Sequence, residues 1–304
     1  MRNVFSKSIL AAAQADPKVL LLTGDHGYAL FDEFRQNAPA QFINAGIAEQ
    51  NMVGVAAGLA KAGYKPIVYG LSAFVPVRVL EQIKMDVCYE NLPVVFIGDG
   101  AGVVYSSLGS SHQSTEDIAV LRCIPNISIL SPCDAQEMQY AMDHALKFTS
   151  PMYVRMGKSD IGSIHTISVT VPVGDLVSVA TGSNKKISFL ATGSMVKTAL
   201  ALAQAAGDFS VWSVPSIKPI NETKIKQLAK ESEIIMVFEE HNTIGGLGSL
   251  VAEIVSTSGG AQVIRFGVQD RFSQKCGSYE YLLQEHGINF EALLPQVLAL
   301  ISAP

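Results

Sequence analysis

The sequence is poor in cysteine, and its few cysteines form no recognisable pattern. There are four, with no Cys-x-x-Cys pair among them: Cys88, Cys123, Cys133 and Cys276. This spacing indicates neither a disulfide framework nor a zinc site. We therefore predict reduced thiols, no metal held by this chain, and a cytoplasmic location.

Long apolar runs and basic clusters are also absent from the sequence. No run approaches the roughly 20 apolar residues that a membrane-spanning helix needs. Residues 1–16 resemble a signal peptide, but Phe5 and Ile9 lie at helical spacing, which favours an ordinary helix. The formal net charge of -5, without a dense basic segment, argues against a nucleic-acid surface. Small molecules and other proteins are the expected partners.

The sequence is rich in apolar residues and in glycine. Of its 304 residues 48% are hydrophobic and 25 are glycine, which is typical of a compact α/β protein with two domains. Short strands alternate with helical patterns in the first half, so we predict a largely parallel sheet flanked by helices. The predicted strands are residues 19–22, 42–44, 67–69, 94–97, 127–130 and 152–155.

A second α/β domain follows an irregular stretch. We assign residues 1–160 to the first domain, 161–186 to a linker and 187–304 to the second domain, also with a largely parallel sheet. Its predicted strands are residues 187–191, 209–214, 234–239 and 262–266. Ligands of such sheets bind beyond the carboxyl ends of the strands, so residues there are the candidates for function.

Glu49 is the most informative of these residues. It lies in the segment Gly46-Ile47-Ala48-Glu49-Gln50, where a predicted strand passes through a glycine turn into a helix over residues 48–62. A carboxylate shielded there by small and apolar neighbours favours sharing a proton with a ligand nitrogen. The wider stretch, residues 42–70, resembles the pyrimidine-binding domain of the transketolase and deoxyxylulose-phosphate synthase family. Residues 213–220 and 239–248 resemble the C-terminal domain of that family.

The resemblance implies a function and a cofactor. It implies a transferase that moves a two-carbon ketol unit between sugar-type substrates, with thiamine diphosphate and Mg²⁺. Glu49 matches the glutamate that hydrogen-bonds the aminopyrimidine ring of the cofactor, and is the first predicted catalytic residue. Phe74 matches an aromatic residue that stacks on this ring. Arg78 matches an arginine found in part of the family, and we expect it to support the cofactor pocket.

Four further residues are implied in substrate binding. His112, in the segment Leu108-Gly109-Ser110-Ser111-His112-Gln113, matches a histidine that faces the reactive ring, and is the second predicted catalytic residue. His26 follows the first strand and is expected near the mouth of the site. Arg155 and Lys158 match a region that supplies an anion-binding arginine in relatives, so they are expected to hold a phosphate or carboxylate.

The sequence also departs from the family pattern. Leu108 stands where most transketolases have an acidic residue, and Gly100 replaces a phosphate-facing histidine or arginine. These changes leave the donor, the acceptor and the use of phosphorylated sugars open. Gly98-Asp99-Gly100 followed by Asn126 imitates a magnesium-binding signature. Because Asn126 precedes a predicted strand instead of following one, we do not assign a metal there.

No stretch resembles the diphosphate-binding half of these enzymes. We therefore expect a C-terminal subunit of a split transketolase, inactive alone, that needs an N-terminal subunit supplying Mg²⁺ and diphosphate contacts. Gly54 and Gly58 give one helix a flat face, which suits either packing on its own sheet or a homodimer interface within an α2β2 assembly. Two alternatives remain: the β subunit of a 2-oxo acid dehydrogenase, and a non-catalytic homodimeric module.

Overall fold

The computed structural model describes residues 1–147, 149–158 and 162–302. These residues form two mostly parallel sheets with helices packed on them, as predicted. The predicted domain boundary at residues 160 and 161 lies outside the described residues. None of the described helices combines the length and the apolar character that a bilayer span requires.

The first sheet has seven strands, six of which are parallel and lie at the predicted places. Five of them have buried interior positions, since helices cover both faces of the sheet, whereas β2 at the sheet edge is only partly buried. The six strands are β1 (Val19–Thr23), β2 (Phe42–Asn44), β3 (Lys65–Leu71), β4 (Val95–Asp99), β5 (Ser128–Leu130) and β6 (Met152–Met156).

Helices connect these strands. The N-terminal segment is helical, as its apolar spacing predicts, with Phe5 and Ile9 fully buried. The helix that begins at Glu49 ends at Lys61, one residue inside each predicted limit. The helices are α1 (Arg2–Ala15), α2 (Asp32–Asn37), α3 (Glu49–Lys61), α4 (Leu80–Gln82, continued by a π-helix over Ile83–Cys88), α5 (Asp117–Arg122) and α6 (Ala135–Ala145).

The second sheet has five strands, and its composition differs from the prediction. Residues 161–186, expected to be an irregular linker, contain β7 (Val177–Ala180), which pairs antiparallel with β9 (Phe209–Ser213). In addition β10 (Ser216–Lys218) leaves this domain and pairs antiparallel with β5 in the first sheet. The remaining strands are parallel: β8 (Asn184–Ala191), β11 (Ile234–Asn242) and β12 (Gln262–Val268).

The two sheets are joined by more than this strand exchange. One hydrophobic cluster contains buried residues of both halves, including Val53 and Phe96 from the first and Val237 and Val251 from the second. The two halves therefore share a hydrophobic core. Its helices are α7 (Met195–Ala206), α8 (Glu222–Glu231), α9 (Leu247–Ser258), α10 (Tyr279–Glu285) and α11 (Phe290–Ile301).

Candidate active site

Glu49 is the first residue of α3, just beyond the carboxyl end of β2. Gly46 makes the turn possible because its φ of +71° is strained for other residues, and its N–H donates to the Asn44 side chain at 2.8 Å. The Glu49 residue is only 7% exposed. Among the described residues its carboxylate has one polar contact, to Arg78 at 3.5 Å. A shielded carboxylate with a single long contact can form a hydrogen bond with a ligand.

Arg78 connects Glu49 to an aromatic ring. Its guanidinium carbon lies 4.0 Å from the centre of the Phe74 ring, at cation–π distance. The Phe74 ring meets the His112 ring edge-on, with ring centres 5.3 Å apart. Glu49, Arg78, Phe74 and His112 therefore form one continuous chain of contacts, which we call the site cluster. The structure thus brings together the two predicted catalytic residues and the predicted ring-binding residues.

Two strand ends hold Phe74 in place. It lies in a turn after β3, where its N–H donates to the carbonyl of Leu71 at 2.8 Å. In the same turn the Ser72 N–H donates to the carbonyl of Asp99, the last residue of β4, also at 2.8 Å. The ring is half-buried, so one part of it remains open to a ligand.

His112 lies in the long loop after β4. It closes a 3₁₀ turn over Ser110–His112, and its Nδ1 is 3.0 Å from the hydroxyl of Ser111. Two backbone hydrogen bonds between Gly102 and Ser114, of 2.8 and 2.9 Å, close the base of this loop. The imidazole is half-buried and belongs to the surface of the site cluster.

His26 lies at the same edge of the sheet, after β1. Its Nε2–H donates to the carbonyl of Tyr69 at 3.3 Å, and its ring packs on the Tyr69 ring. Burial lowers the pKa of His26 below its usual value, although the negative charges of Glu49 and Asp99 oppose this effect. The ring is therefore neutral near pH 7 and close enough to Glu49 to feel its charge.

Two models of known protein domains match the chain. A model of the transketolase pyrimidine-binding domain matches residues 1–163, and one of the transketolase C-terminal domain matches residues 178–293. The chain belongs to the transketolase family. It is 33% identical to one of the subunits of the apulose-4-phosphate transketolase of Actinobacillus succinogenes, over 99% of this chain and 98% of that protein.

Other relatives agree with this assignment. A solved split-gene transketolase, described as an inactive β4 tetramer, superposes with a TM-score of 0.86 at 30% identity, covering 98% of this chain and 97% of that one. The 1-deoxy-D-xylulose-5-phosphate synthase of Thioalkalivibrio sulfidiphilus is 33% identical over 98% of this chain but only 46% of its own length. This transketolase-family chain thus matches subunit-sized relatives over nearly their full length and a larger enzyme over less than half.

The structure buries Arg155, which was predicted to hold a substrate anion. Its residue is 3% exposed, and its Nε donates to both carboxylate oxygens of Asp117 at 2.8 and 3.1 Å. The same guanidinium donates to the carbonyl oxygens of Ser114 and Glu240. A substrate phosphate cannot reach a group sealed in this way, so the prediction for Arg155 is corrected. Lys158 lies nearby, with its Nζ 5.4 Å from the centre of the Tyr279 ring.

The magnesium-like signature has another use in this transketolase-family fold. Asp99 is 1% exposed and accepts hydrogen bonds from the Tyr69 hydroxyl at 2.7 Å, from the Tyr105 hydroxyl at 3.2 Å and from two nitrogens of Arg2. Gly100 has a φ of +73° and lies against the Tyr105 ring, which leaves no room for a side chain. By contrast Leu108 is 53% exposed on the His112 loop, where a substrate group could meet it.

A second set of polar residues, on β11, was not predicted from the sequence. Glu240 and His241 are at most 1% exposed, and both contact the first domain, Glu240 through the N–H of Val103 and His241 through that of Ala119. Together with Asp117 and Arg155 they form a buried group that we call the interdomain cluster. The sequence signal that could have indicated this buried polar group is the run of two acids and a histidine at the end of an apolar strand.

One further group could hold a metal by composition. Cys133, Glu137 and His165 have ligand atoms within 4.8 Å of one another. Glu137 accepts a hydrogen bond from the Cys133 N–H at 2.8 Å and contacts the His165 ring at 2.9 Å. These bonds join α6 to the segment after β6, which is a structural role that needs no metal.

Proposed function

We propose that this chain is the C-terminal subunit of a thiamine diphosphate-dependent transketolase, which transfers a two-carbon ketol unit between sugar-type substrates. The observation that carries the proposal is the site cluster: an acid, a cation, an aromatic ring and a histidine in continuous contact at the carboxyl edge of a parallel sheet. When bound, thiamine diphosphate supplies the nucleophilic carbon that carries the transferred unit.

Glu49 fits the aminopyrimidine end of this cofactor. Its carboxylate is shielded from water and has one long contact among the described residues, so a ring nitrogen can share its proton. Arg78 covers one face of the Phe74 ring, and the other face can accept a flat heteroaromatic ring. These three residues hold and orient the ring, and Glu49 keeps a proton at its nitrogen.

Two histidines complete the substrate side. His112 contacts the Phe74 ring, on which the cofactor ring would stack. Its imidazole can therefore hydrogen-bond a substrate oxygen or transfer a proton there. His26 is neutral and lies at the same edge, where it can donate or accept a hydrogen bond without adding charge. Lys158 remains the candidate for an anionic substrate group. Leu108 offers no hydrogen bond, which favours acceptors and donors that differ from the usual ketose phosphates.

The diphosphate and Mg²⁺ are proposed to bind an N-terminal partner subunit. In this chain Asp99 is committed to internal hydrogen bonds and is closed to a cation. A β-carbon built on Gly54 or Gly58 meets no atom within 4 Å among the described residues, so the flat face of α3 does not pack on this chain's own sheet. That face suits a second copy of the chain, giving an α2β2 enzyme in which each chain alone is inactive.

The test is reconstitution of the enzyme. The chain is purified with a transketolase N-terminal subunit from the same genome, thiamine diphosphate and Mg²⁺, and supplied with phosphorylated and free ketose donors and aldose acceptors. We expect ketol transfer by the complex and none by either subunit alone. Glu49→Ala should lower kcat about 100-fold or more, as expected for loss of a catalytic acid or base. The control Glu222→Gln changes an exposed acid of α8 and should leave kcat unchanged.

Other outcomes point to the alternative functions. Acyl transfer to a lipoyl group in place of ketol transfer would indicate a 2-oxo acid dehydrogenase β subunit. Full activity of the Glu49→Ala complex would remove the catalytic role from the site cluster and favour a non-catalytic module. Full activity of the chain alone would contradict the need for a partner.

A further inference from the structure

The loop that carries His112 is held at its base by the second domain. Val103 follows Gly102, one half of the backbone bridge that closes the loop, and its N–H donates to the carboxylate of Glu240 at 2.7 Å. Glu240 lies on β11 and is 1% exposed. A carboxylate buried at this depth is stable only when its oxygens are bonded, so the contact is not a casual surface one.

The second domain supplies the remaining bonds of the Glu240 carboxylate. Its other oxygen accepts from the hydroxyl of Tyr279 at 2.5 Å and from the hydroxyl of Ser194. These donors fix the direction of the carboxylate from two places, Ser194 just before α7 and Tyr279 at the start of α10. Three donors to one carboxylate make a rigid anchor point, with the loop on one side and the second domain on the other.

Ser114, on the other side of the loop base, has its own contacts. Arg155 donates to the carbonyl of Ser114 at 3.3 Å and to that of Glu240 at 2.9 Å, so a single guanidinium joins both sides of the domain boundary. The Ser114 hydroxyl in turn donates to the carbonyl of Ser72 at 3.1 Å. Ser72 belongs to the turn that carries Phe74. The base of the loop is therefore tied both to the second domain and to the ring-binding turn.

We propose that Glu240, with Tyr279, is a positioning residue: it sets the place of the His112 loop over the cofactor ring and so couples the second domain to substrate binding. The inference rests on the proposed function, in which His112 faces the substrate. It gives the second domain a definite task in the reaction without contact to the reacting atoms. A displacement of about 1 Å at a positioned group can lower a rate up to 100-fold, so a loosened anchor should be measurable.

Two variants loosen the anchor in different ways. Tyr279→Phe removes one hydrogen bond and keeps the ring. Gly102→Ala places a β-carbon in the space of the Glu240 carboxylate, at a φ of +77°. The matched control is Gly63→Ala, which has the same kind of backbone strain at a φ of +86° but meets no atom within 4 Å among the described residues.

The first measurement needs no activity. Amide hydrogen exchange of the purified chain, read by mass spectrometry, should become at least about fivefold faster over residues 103–114 in Tyr279→Phe and Gly102→Ala, and stay unchanged over residues 49–61. Gly63→Ala should leave residues 103–114 unchanged. Equal exchange over residues 103–114 in wild type and Tyr279→Phe would overturn the proposal, including when Gly102→Ala does not fold.

The second measurement uses the reconstituted complex. Both variants should lower kcat/KM for the ketose donor about tenfold while thiamine diphosphate affinity stays within about twofold, because Glu49 and Phe74 are untouched. A parallel loss of cofactor affinity would indicate general disruption and contradict a positioning role. If the wild-type complex shows no ketol transfer, the proposed function fails, whereas the exchange result still decides whether Glu240 holds the loop.

Discussion

Two groups of polar residues lie at the edge of the first sheet, and they differ in what surrounds them. In the site cluster Arg78 has a 48% exposed side chain and contacts Glu49 at a long 3.5 Å. In the interdomain cluster Arg155 has a 3% exposed side chain and contacts Asp117, which is fully buried, at 2.8 Å. Both contain an arginine and an acid, yet one is open to a ligand and the other is closed by protein.

This difference separates binding from positioning. A ligand can compete for groups that are partly hydrated and loosely bonded, as in the site cluster. Groups that are buried and fully bonded instead fix the geometry of the elements that carry them. The residue type alone does not decide between these roles, since Arg155 was predicted for the first and belongs to the second.

The largest expected effect comes from removing the buried charge of Arg155. Arg155→Met should lower the free energy of unfolding by about 3–5 kcal/mol, because it leaves the Asp117 carboxylate buried without its cation. Urea unfolding followed by circular dichroism measures this change. The control Arg35→Met removes an exposed pair with Asp32 and should change the midpoint little. A loss below about 1 kcal/mol for Arg155→Met would contradict the distinction between the two clusters.

The fold was largely predictable because of burial. The strands β1, β4 and β6 are covered on both faces and are mostly apolar, which is typical of a parallel sheet. The two strands that were missed are short antiparallel edge strands. β7 has no fully buried residue, and β10 has three residues that pair with a strand of the other domain. No local pattern distinguishes such segments from loops.

For three of the predicted site residues the structure shows that they lie close together, while their roles stay predictions. Glu49, Phe74 and His112 each follow a strand of the first sheet, and parallel strands bring such positions together. Arg155 was misassigned because its partner Asp117 is 38 residues away, and nothing in the sequence shows which group it faces. Glu240 lies in a segment that resembles the family's C-terminal domain, but its role could not be predicted because its partners come from three separate parts of the chain.

A smaller effect is expected in the pH dependence of stability, through His241 of the interdomain cluster. Burial, with the charge of Arg155, lowers the pKa of His241 to about 4, although Asp117 at 3.9 Å opposes this. The folded chain therefore keeps His241 neutral while the unfolded chain protonates it near pH ~6.5. Stability from this residue is present above about pH 6.5 and is lost as the pH falls towards 4. The loss amounts to at most about 3 kcal/mol.

The measurement is the free energy of unfolding between about pH 4 and 7 for wild type and His241→Gln. The wild-type curve should fall more steeply on acidification, so the two curves converge towards low pH. Glu239, whose pKa burial raises to about 7, contributes the opposite slope in both proteins. The control His144→Gln changes a histidine that is only partly buried and should keep most of the wild-type slope. Parallel curves for wild type and His241→Gln would show that His241 is hydrated.

The smallest expected effect concerns the open side of the comparison. Phe74→Leu keeps an apolar residue but removes the ring that Arg78 and His112 contact. Aromatic contacts contribute about 0.5–1.5 kcal/mol beyond area, so thiamine diphosphate should bind the reconstituted complex about two- to tenfold more weakly. Equilibrium dialysis or calorimetry measures the affinity, and Phe272→Leu, a change at an 84% exposed ring of the second domain, is the control. Unchanged affinity in Phe74→Leu would mean that the cofactor ring does not stack on Phe74.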